Sequence, residues 1–332
     1  MNCVQTTNEV LREQLKRMFN YEFSDNSQIS DALYSVEDKQ FLKRAEAPIT
    51  KINGHYQLEL PWKEDDVTLP YNRLMAEKRL AYLKRKFEGD SDLFTSYKDK
   101  INDLLINEYA RKVPPGCKPH PGRTWYIPHH SCCSAGKFRV VHDCAASFGD
   151  TSMNDCLLSG PDLTNNLTGV LLRFRQEKIA FTADIKSMFL QVQVDPKDWD
   201  GLRFLWWPND DQSREPSDYQ MLVHLFGAKS SPACTNFALR KVADDNETYA
   251  STITVLTVKR NFYVDDCLKS VKGVKEAIQL IKELSMLLKT GGFHLTKYLS
   301  NCREVLSAID HEDLDPRVKT LYLDNFFDDL PV

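Results

Sequence analysis

Apolar residues recur at helical spacing in the first third of the chain and at mixed spacing in the remainder. Residues 72–83 and 93–109 place apolar side chains every three or four positions, which predicts two helices. A weaker pattern of the same kind predicts a helix within residues 8–19. Before the two stronger helices, Asn53-Gly54 is flanked by alternating apolar and polar residues, which predicts a β-hairpin.

From residue 124 onward, short strand-like runs alternate with turns and helical segments. We found no internal repeat and no low-complexity block in this part. The predicted strands are residues 125–127, 138–141, 179–184, 189–194, 219–226 and 261–264, and the predicted helices are residues 165–175, 232–243 and 274–289. Gly291-Gly292 directly follows the last helix and predicts its end.

Composition and charge narrow the class of protein. The chain has 332 residues, of which 42% are hydrophobic and 27% charged, as in globular proteins. Its formal net charge of −4 excludes a histone-like polycation, but a nucleic-acid enzyme needs only a local basic groove. No run approaches the roughly 18 apolar residues of a membrane span, so no membrane partner is expected. The nine cysteines form no C-x-x-C pair, which predicts reduced thiols in an intracellular protein.

Three acidic residues stand out because of their apolar surroundings. Asp184 ends a strand-like run, and Asp265-Asp266 lies between two more. A hairpin turning at Asp265-Asp266 would place both carboxylates at its tip, although turns favour Asp for backbone reasons alone. Asp184 is harder to explain, since a buried strand rarely ends on an unpaired charge. Carboxylates bind Mg²⁺, and two such ions about 3.5–4 Å apart promote in-line phosphoryl transfer.

The acidic motifs resemble those of a known enzyme family. F-Y-V-D-D at residues 262–266 is similar to the Y-V-D-D box of retroelement reverse transcriptases, and T-A-D-I-K-S-M-F at 182–189 resembles their first catalytic strand. Further boxes of that family follow the same order in residues 125–302: R-V-V-H-D at 139–143, F-G-A-K-S-S-P at 226–232 and G-G-F-H-L-T-K at 291–297. Three flanking segments, Y-I-P-H-H at 126–130, N-D-C-L-L-S-G-P-D-L at 154–163 and F-L-W at 204–206, resemble the Pao/BEL lineage of LTR retrotransposons.

The resemblance implies an α+β fold, namely the fingers and palm of a right-hand polymerase with an antiparallel palm sheet backed by helices. It divides the chain into a mostly helical linker with one hairpin (1–115), fingers and palm (116–310) and an acidic, exposed tail (311–332). It implies an RNA-directed DNA polymerase, in which a primer 3′-hydroxyl attacks the α-phosphate of a deoxynucleotide. The cofactor would be two Mg²⁺ ions, with Mn²⁺ as an alternative.

The same resemblance assigns roles to individual residues. Phe189 would lie under the sugar as a steric gate, although a core phenylalanine is the alternative. Arg139 would grip the triphosphate, or be a surface strand arginine, and Lys297 would lie near the leaving pyrophosphate. The implied catalytic and metal-binding residues are Asp184, Asp265 and Asp266; the nucleotide-binding residues are Arg139, Ile185, Phe189, Phe226, Gly227 and Lys297; the nucleic-acid-binding residues are Tyr263, Ser231 and Pro232.

Two further clusters leave alternatives open. His129-His130 with Cys132-Cys133 could bind zinc, but adjacent side chains of an extended segment point to opposite faces, so a phosphate or template contact by the histidines is favoured. Trp206-Trp207 could stack on bases or pack in the core.

The implied partners are a primed RNA or DNA template, deoxynucleotide triphosphates, and the protease, ribonuclease H and integrase segments of a polyprotein. The expected location is a cytoplasmic retrotransposon particle, with the nucleus as an alternative. Two rivals are a decayed or host-adopted copy that binds nucleic acid without polymerising, and a scaffold fragment. No L-G box of a primer grip follows Gly292, so residues 1–332 alone are expected to bind nucleotide weakly and to extend primers poorly.

Overall fold

The computed structural model of this chain describes residues 34–47, 49–134 and 137–318. The predicted helix within residues 8–19 lies outside these ranges, as do residues 319–332 of the predicted tail. Within the described ranges, no helix combines the length and the apolar character needed to cross a bilayer.

Helices and strands alternate along the described residues. The helices are α1 Val36–Glu46, α2 Arg73–Gly89, α3 Ser91–Ile106, α4 Met153–Cys156, α5 Leu167–Phe174, α6 Ser231–Asp245, α7 Thr252–Arg260, α8 Val274–Lys289 and α9 Arg303–Leu306. The strands are β1 Thr50–Ile52, β2 His55–Leu58, β3 Ala110–Lys112, β4 His129–Ser134, β5 Lys137–His142, β6 Ile179–Ile185, β7 Gln193–Val194, β8 Arg203–Trp206, β9 Ser217–Met221, β10 Phe262–Tyr263, β11 Asp266–Val271 and β12 Leu295–Ser300. Short 3₁₀ helices span Met188–Gln191, Pro196–Leu202, Pro208–Asp210 and His311–Asp313.

A four-stranded antiparallel sheet, in the order β10-β11-β6-β12, forms the centre of the larger core. Along β6 every second side chain is buried, so Phe181 and Ala183 face the core while Thr182 and Asp184 face the other way. Apolar residues of α6 and α8 cover the buried face. This is the antiparallel sheet backed by helices that the sequence analysis expects, and the α+β fold class is confirmed.

A second core lies between helices α2 and α3 and the sheet β3-β9-β8. Trp206 stacks on Tyr97 of α3 with ring centroids 5.4 Å apart, and Phe87 of α2 meets Trp206 edge-on. Both Trp206 and Trp207 are buried, so of the two alternatives for this pair core packing is correct. The hairpin β4–β5 packs on the same core through Phe138, whose ring contacts Tyr97.

The predicted N-terminal hairpin is confirmed as β1–β2. Asn53 and Gly54 both have positive φ, as a two-residue hairpin turn requires. Strand β2 also pairs in parallel with β7, and the Tyr56 hydroxyl donates to Asp245 Oδ2 at 2.7 Å. The hairpin therefore joins the core of the central sheet.

Residues 311–318, assigned above to an exposed acidic tail, pack against the central sheet. Leu314 and Val318 are buried in the larger core, and Leu314 forms a β-bridge with Tyr298 of β12. Exposure was therefore the wrong expectation for Leu314, Asp315 and Val318, whereas His311, Glu312, Pro316 and Arg317 are exposed.

The elements that the sequence did not predict include α1, β3, β4 and β8, and also α7 and β12. The sequence of α7, with six β-branched residues among nine, has low helix propensity, yet Ser251 caps it and Val255 and Val258 pack in the core. Strand β12 was also unassigned, and of residues 189–194 only β7 is a strand. Tertiary packing outweighed local propensity in these segments.

Candidate catalytic site

The strand register places two of the predicted carboxylates directly opposite each other. Asp266, the first residue of β11, pairs with Asp184 of β6. Residues opposite each other on antiparallel strands share a face, with Cβ atoms about 4.5–5.5 Å apart. Like charges in that position destabilise a sheet. Sheet stability therefore does not explain this pair.

Asp265 lies in the turn of the β10–β11 hairpin. The turn consists of Val264 and Asp265, because Tyr263 pairs with Asp266, so the predicted turn at Asp265-Asp266 is shifted by one residue. Val264 adopts φ of 57°, an uncommon and costly conformation for a β-branched residue. The Asp265 carbonyl accepts a hydrogen bond from the Ile185 amide at 2.9 Å, which attaches the turn to the end of β6.

The environment disfavours full ionisation of two of the three carboxylates. Burial raises the pKa of Asp265, and the charge of Asp184 raises it further. Burial also raises the pKa of Asp266, with added repulsion from Asp265 and Asp184. The ammonium group of Lys297 opposes both shifts. An additional cation beside these three carboxylates would stabilise their ionised forms.

Lys297 reaches this cluster from a bulge in β12. The register between β12 and β6 shifts between Thr296 and Leu299, and Lys297 has φ of 54°. Its Nζ lies 2.7 Å from Asp184 Oδ2. In a regular strand, successive side chains point to opposite faces of the sheet. The bulge interrupts this alternation and turns the Lys297 side chain toward Asp184.

The donor set suits a hard divalent cation, since three carboxylates face one ammonium group and carboxylate oxygens are the preferred ligands of Mg²⁺. As placed, however, no three His, Cys, Asp or Glu side chains of the described residues converge closely enough to hold a metal ion. Asp184 is engaged by Lys297, so coordination requires its carboxylate to leave that ion pair.

Two phenylalanines from separate segments of the chain form an aromatic pair. Phe189, in the first 3₁₀ helix, meets Phe226 edge-on with ring centroids 4.4 Å apart. Phe226 is 51% exposed, which is unusual for a phenylalanine and leaves one side of this pair open to a ligand. The structure therefore brings together two of the predicted nucleotide-pocket residues.

Gly227 lies against the base of the β4–β5 hairpin. Its φ is 110°, and a Cβ there would collide with the carbonyl oxygen of His142. Asn154 holds this loop from both sides: its Nδ2 donates to the Gly227 carbonyl at 3.0 Å, and its Oδ1 accepts from the Lys229 amide at 2.9 Å. Asn154 was not among the predicted site residues, because the sequence run in which it lies does not reveal a contact with a loop distant in the chain.

Two predicted contact residues are buried and need correction. The Ile185 side chain is 1% exposed and belongs to the core, so it is not available to a nucleotide. Ser231 is equally buried, and its hydroxyl donates to the Leu225 carbonyl at 2.8 Å rather than to a nucleic acid. Pro232 is exposed and Tyr263 is half-buried, so both side chains can reach a ligand.

Arg139 is exposed on β5, opposite Cys132. Within the described parts of the chain it has no ion pair, so its guanidinium is available for an anionic ligand. Its side chain points away from the face of the hairpin that carries Phe138 and Val140 into the second core. The structure thus keeps open both alternatives for Arg139, a surface strand arginine and a triphosphate contact.

His129 is a core residue, contrary to the phosphate or template contact predicted for it. Its ring interacts with the Tyr97 hydroxyl and the Leu205 carbonyl. Burial lowers the pKa of His129 to about 4 and that of His142 to about 3. His130, on the opposite face of β4, is exposed. No zinc-binding group of His and Cys is found in the described ranges.

These buried histidines make stability depend on pH. Well above pH 6.5, the imidazole of His129 is neutral in both the folded and the unfolded state. It therefore contributes nothing to the pH dependence of stability in that range. As the pH falls from about 6.5 to about 4, only the unfolded state takes up the proton. Stability is then lost at up to about 1.4 kcal/mol per pH unit for this group. The free energy of unfolding of His129→Gln, measured across this range, should have a slope shallower by about that amount.

Ser131→Ala is the matched control, since it changes the same strand without removing an ionisable group and should leave the slope almost unchanged. Comparing slopes rather than absolute stabilities removes the cost of the lost Tyr97 contact. Equal slopes for wild type and His129→Gln would contradict a neutral buried histidine.

Of three comparisons with known proteins, only the comparison with solved structures finds proteins similar to this chain. A scan of family models matches none, and a search of curated proteins finds no match. Among solved structures, the chain is similar to foamy viral protease-reverse transcriptase bound to double-stranded DNA (18% identity, TM-score 0.45, 60% of this chain and 30% of that one). It is also similar to that protein bound to an RNA/DNA hybrid (18%, 0.43, 61% and 23%) and to a prototype foamy virus protease-reverse transcriptase mutant (16%, 0.45, 87% and 31%). The chain spans about a third or less of these structures.

Proposed function

We propose that the chain is the polymerase region of a retroelement reverse transcriptase, an RNA-directed DNA polymerase. The observation that carries this proposal is the register pair Asp184–Asp266, with Asp265 in the adjoining turn and Lys297 aimed at the same place. A polymerase uses carboxylates at this density because phosphoryl transfer needs metal ions at the attacking and leaving oxygens.

In this proposal the chain's own residues position the reactants. Asp184, Asp265 and Asp266 would hold two Mg²⁺ ions, which supply activation of the primer hydroxyl and stabilisation of the leaving oxygen. Lys297 would leave Asp184 and hold a proton near the departing pyrophosphate. The exposed guanidinium of Arg139 would bind triphosphate oxygens. Template contacts would go mainly to the backbone, because a polymerase must accept every sequence.

The finer assignment is to the Pao/BEL lineage of LTR retrotransposons, and it rests on the flanking sequence motifs. It implies deoxynucleotide triphosphates and a primed RNA or DNA template as partners, and further Pol segments such as protease, ribonuclease H and integrase. The location would be a cytoplasmic particle, with the nucleus as an alternative. A decayed or host-adopted copy that binds nucleic acid without polymerising is the second candidate.

Single-nucleotide incorporation tests the proposal most directly. The full chain, in excess over a primed RNA template, should add one deoxynucleotide in the presence of Mg²⁺ or Mn²⁺. Because extension by this chain is expected to be slow, binding of Mn²⁺ measured by electron paramagnetic resonance provides a second readout. Template binding without incorporation and without Mn²⁺ binding would favour the second candidate.

Sugar selection gives an independent prediction. Phe189→Val removes the ring that contacts Phe226 and opens space where the proposal places the deoxyribose. The ratio of ribonucleotide to deoxynucleotide incorporation should rise at least about tenfold, because the steric exclusion of a 2′-hydroxyl is lost. Competition between the two nucleotides on one primed template measures this ratio. The control is Phe181→Leu, on the buried face of β6, which should leave the incorporation ratio unchanged.

A further inference from the structure

The solvent face of α2 carries a concentration of positive charge that the catalytic site does not use. The helix contains six Lys or Arg and two Glu residues, so it carries +4 in a chain whose formal net charge is −4. Arg73 pairs with Glu77 and Asp218, and Lys84 donates to the Gln212 carbonyl. The other four cations have no ion pair or hydrogen-bond partner in the described ranges of the chain.

These four cations surround an exposed aromatic ring. Lys78, Tyr82 and Arg85 lie at positions i, i+4 and i+7 and form one row along the helix. Arg79 and Lys86, seven residues apart, form a second row beside it. Tyr82 is 57% exposed, and Lys86 Nζ lies 5.0 Å from the centre of its ring. We call these five residues the α2 outer face; it extends about 12 Å at 1.5 Å per residue.

Helix stability does not account for this arrangement. Cations interact favourably with the helix dipole only within the last turn, and Lys78 and Arg79 lie near the middle of Arg73–Gly89. The first turn of α2 contains no acidic residue that could balance them along the helix. Helix propensity explains Lys and Arg as residue types, but neither the dipole nor ion pairing explains their clustering without acidic partners.

A membrane surface is a poor fit for this helix. A helix lying on a membrane inserts an apolar face between the lipids. The apolar face of α2, formed by Ala76, Leu80, Leu83 and Phe87, is already buried against the second core. What remains outside is mainly cationic, with Tyr82 at its centre and only Leu74 and Ala81 as exposed aliphatic residues.

We infer that the α2 outer face binds single-stranded nucleic acid, with cations on consecutive phosphates and Tyr82 stacked on a base. A positive groove interleaved with aromatic rings is the usual means of binding single strands without sequence preference. Helix α2 packs on the same core as the hairpin β4–β5 that carries Arg139. The strand held there would be the unpaired template ahead of the site; that identity rests on the proposed function, whereas the binding itself does not.

The first test neutralises the charge. Binding of the full chain to a labelled primer–template with an overhang of about eight nucleotides is followed by fluorescence anisotropy across a range of salt concentrations. The variant Lys78→Gln/Arg79→Gln/Arg85→Gln/Lys86→Gln should bind the overhang about tenfold to hundredfold more weakly. The slope of log K against log salt should be shallower by about 3, since each phosphate contact with a single strand contributes about 0.7.

The matched control removes the same charge elsewhere. Four exposed lysines at and near α8 have no ion pair within the described residues, and the control variant is Lys272→Gln/Lys275→Gln/Lys282→Gln/Lys289→Gln. It should bind the overhang nearly as well as wild type. An equal loss in both variants would show a general charge effect and overturn the inference. So would a loss of binding to phosphatidylserine vesicles, but not to the overhang, in the α2 variant.

The second test separates a nucleic acid from an acidic protein surface. Tyr82→Ala should weaken binding of a normal overhang about tenfold, as expected for the loss of one stacked base. It should have no effect on an overhang of abasic sites, which keeps the phosphates. Stacking by Tyr82 would be contradicted if Tyr82→Ala weakened binding of both overhangs equally. It would also be contradicted if the substitution weakened binding of neither.

A third variant distinguishes this inference from the proposed function. Asp265→Asn should leave the affinity for the overhang unchanged, because Asp265 lies in the β10–β11 turn beside the central sheet, whereas α2 packs on the second core. If the chain never incorporates a nucleotide but the α2 variant still loses overhang binding, the proposed function fails and this inference stands. If the chain incorporates a nucleotide but the α2 variant binds the overhang as well as wild type does, the proposed function stands and this inference fails.

Discussion

Replacing Asp265 with Asn should lower single-nucleotide incorporation at least about 100-fold while the protein stays folded. The substitution keeps the shape of the side chain but removes one negative charge from the three that face Lys297. A metal ion bound there loses a charged ligand, and the developing charge in phosphoryl transfer loses stabilisation. The Asp265 carbonyl, which attaches the turn to Ile185, is unaffected by the change.

Folding should even improve slightly, since burial and the neighbouring Asp184 raise the pKa of Asp265 and make its charge unfavourable. Asp99→Asn is the matched control, because Asp99 is exposed on α3 and should leave incorporation unchanged. Pre-steady-state incorporation and circular dichroism measure the two effects. Near-wild-type incorporation by Asp265→Asn would remove this residue from the proposed mechanism.

Replacing Gly227 with Ala should destabilise the protein by about 2–4 kcal/mol, as expected for a side chain forced into strained backbone and a steric collision. The backbone at this position has φ of 110°, which L-residues rarely adopt. The new methyl group would also meet the His142 carbonyl, which is backbone and cannot rotate away. Relief requires the Phe226–Gly227 loop to separate from the β4–β5 hairpin.

Gly89→Ala provides the comparison, because Gly89 is the last residue of α2 and a Cβ there meets nothing within 4 Å. It should be neutral or slightly stabilising. Denaturant unfolding measures both free energies. A Gly227→Ala variant as stable as wild type would show that the close approach to His142 is not required by the fold.

Local patterns were sufficient for the elements whose pattern is strong. Helix α8 begins at Val274 and ends at Lys289, as the apolar spacing predicts, and Asn53-Gly54 forms the expected turn. Helix α7 was missed, since its β-branched residues favour strands and only packing against the larger core makes the segment helical. The sequence did not show that the side chains of Ile185 and Ser231 are buried, because a motif does not reveal which side chains face inward.

The sequence by itself determined which residues are available for chemistry: carboxylates at 184, 265 and 266, a lysine at 297, and glycine at 227. Only the tertiary structure decided how they meet. Asp184 and Asp266 become neighbours through strand register, Lys297 reaches them through a bulge, and Gly227 is required by a carbonyl far away in the chain. Register and close approach depend on pairing between distant segments, and a shift of one residue turns every side chain to the other face of the sheet. No local pattern contains that information.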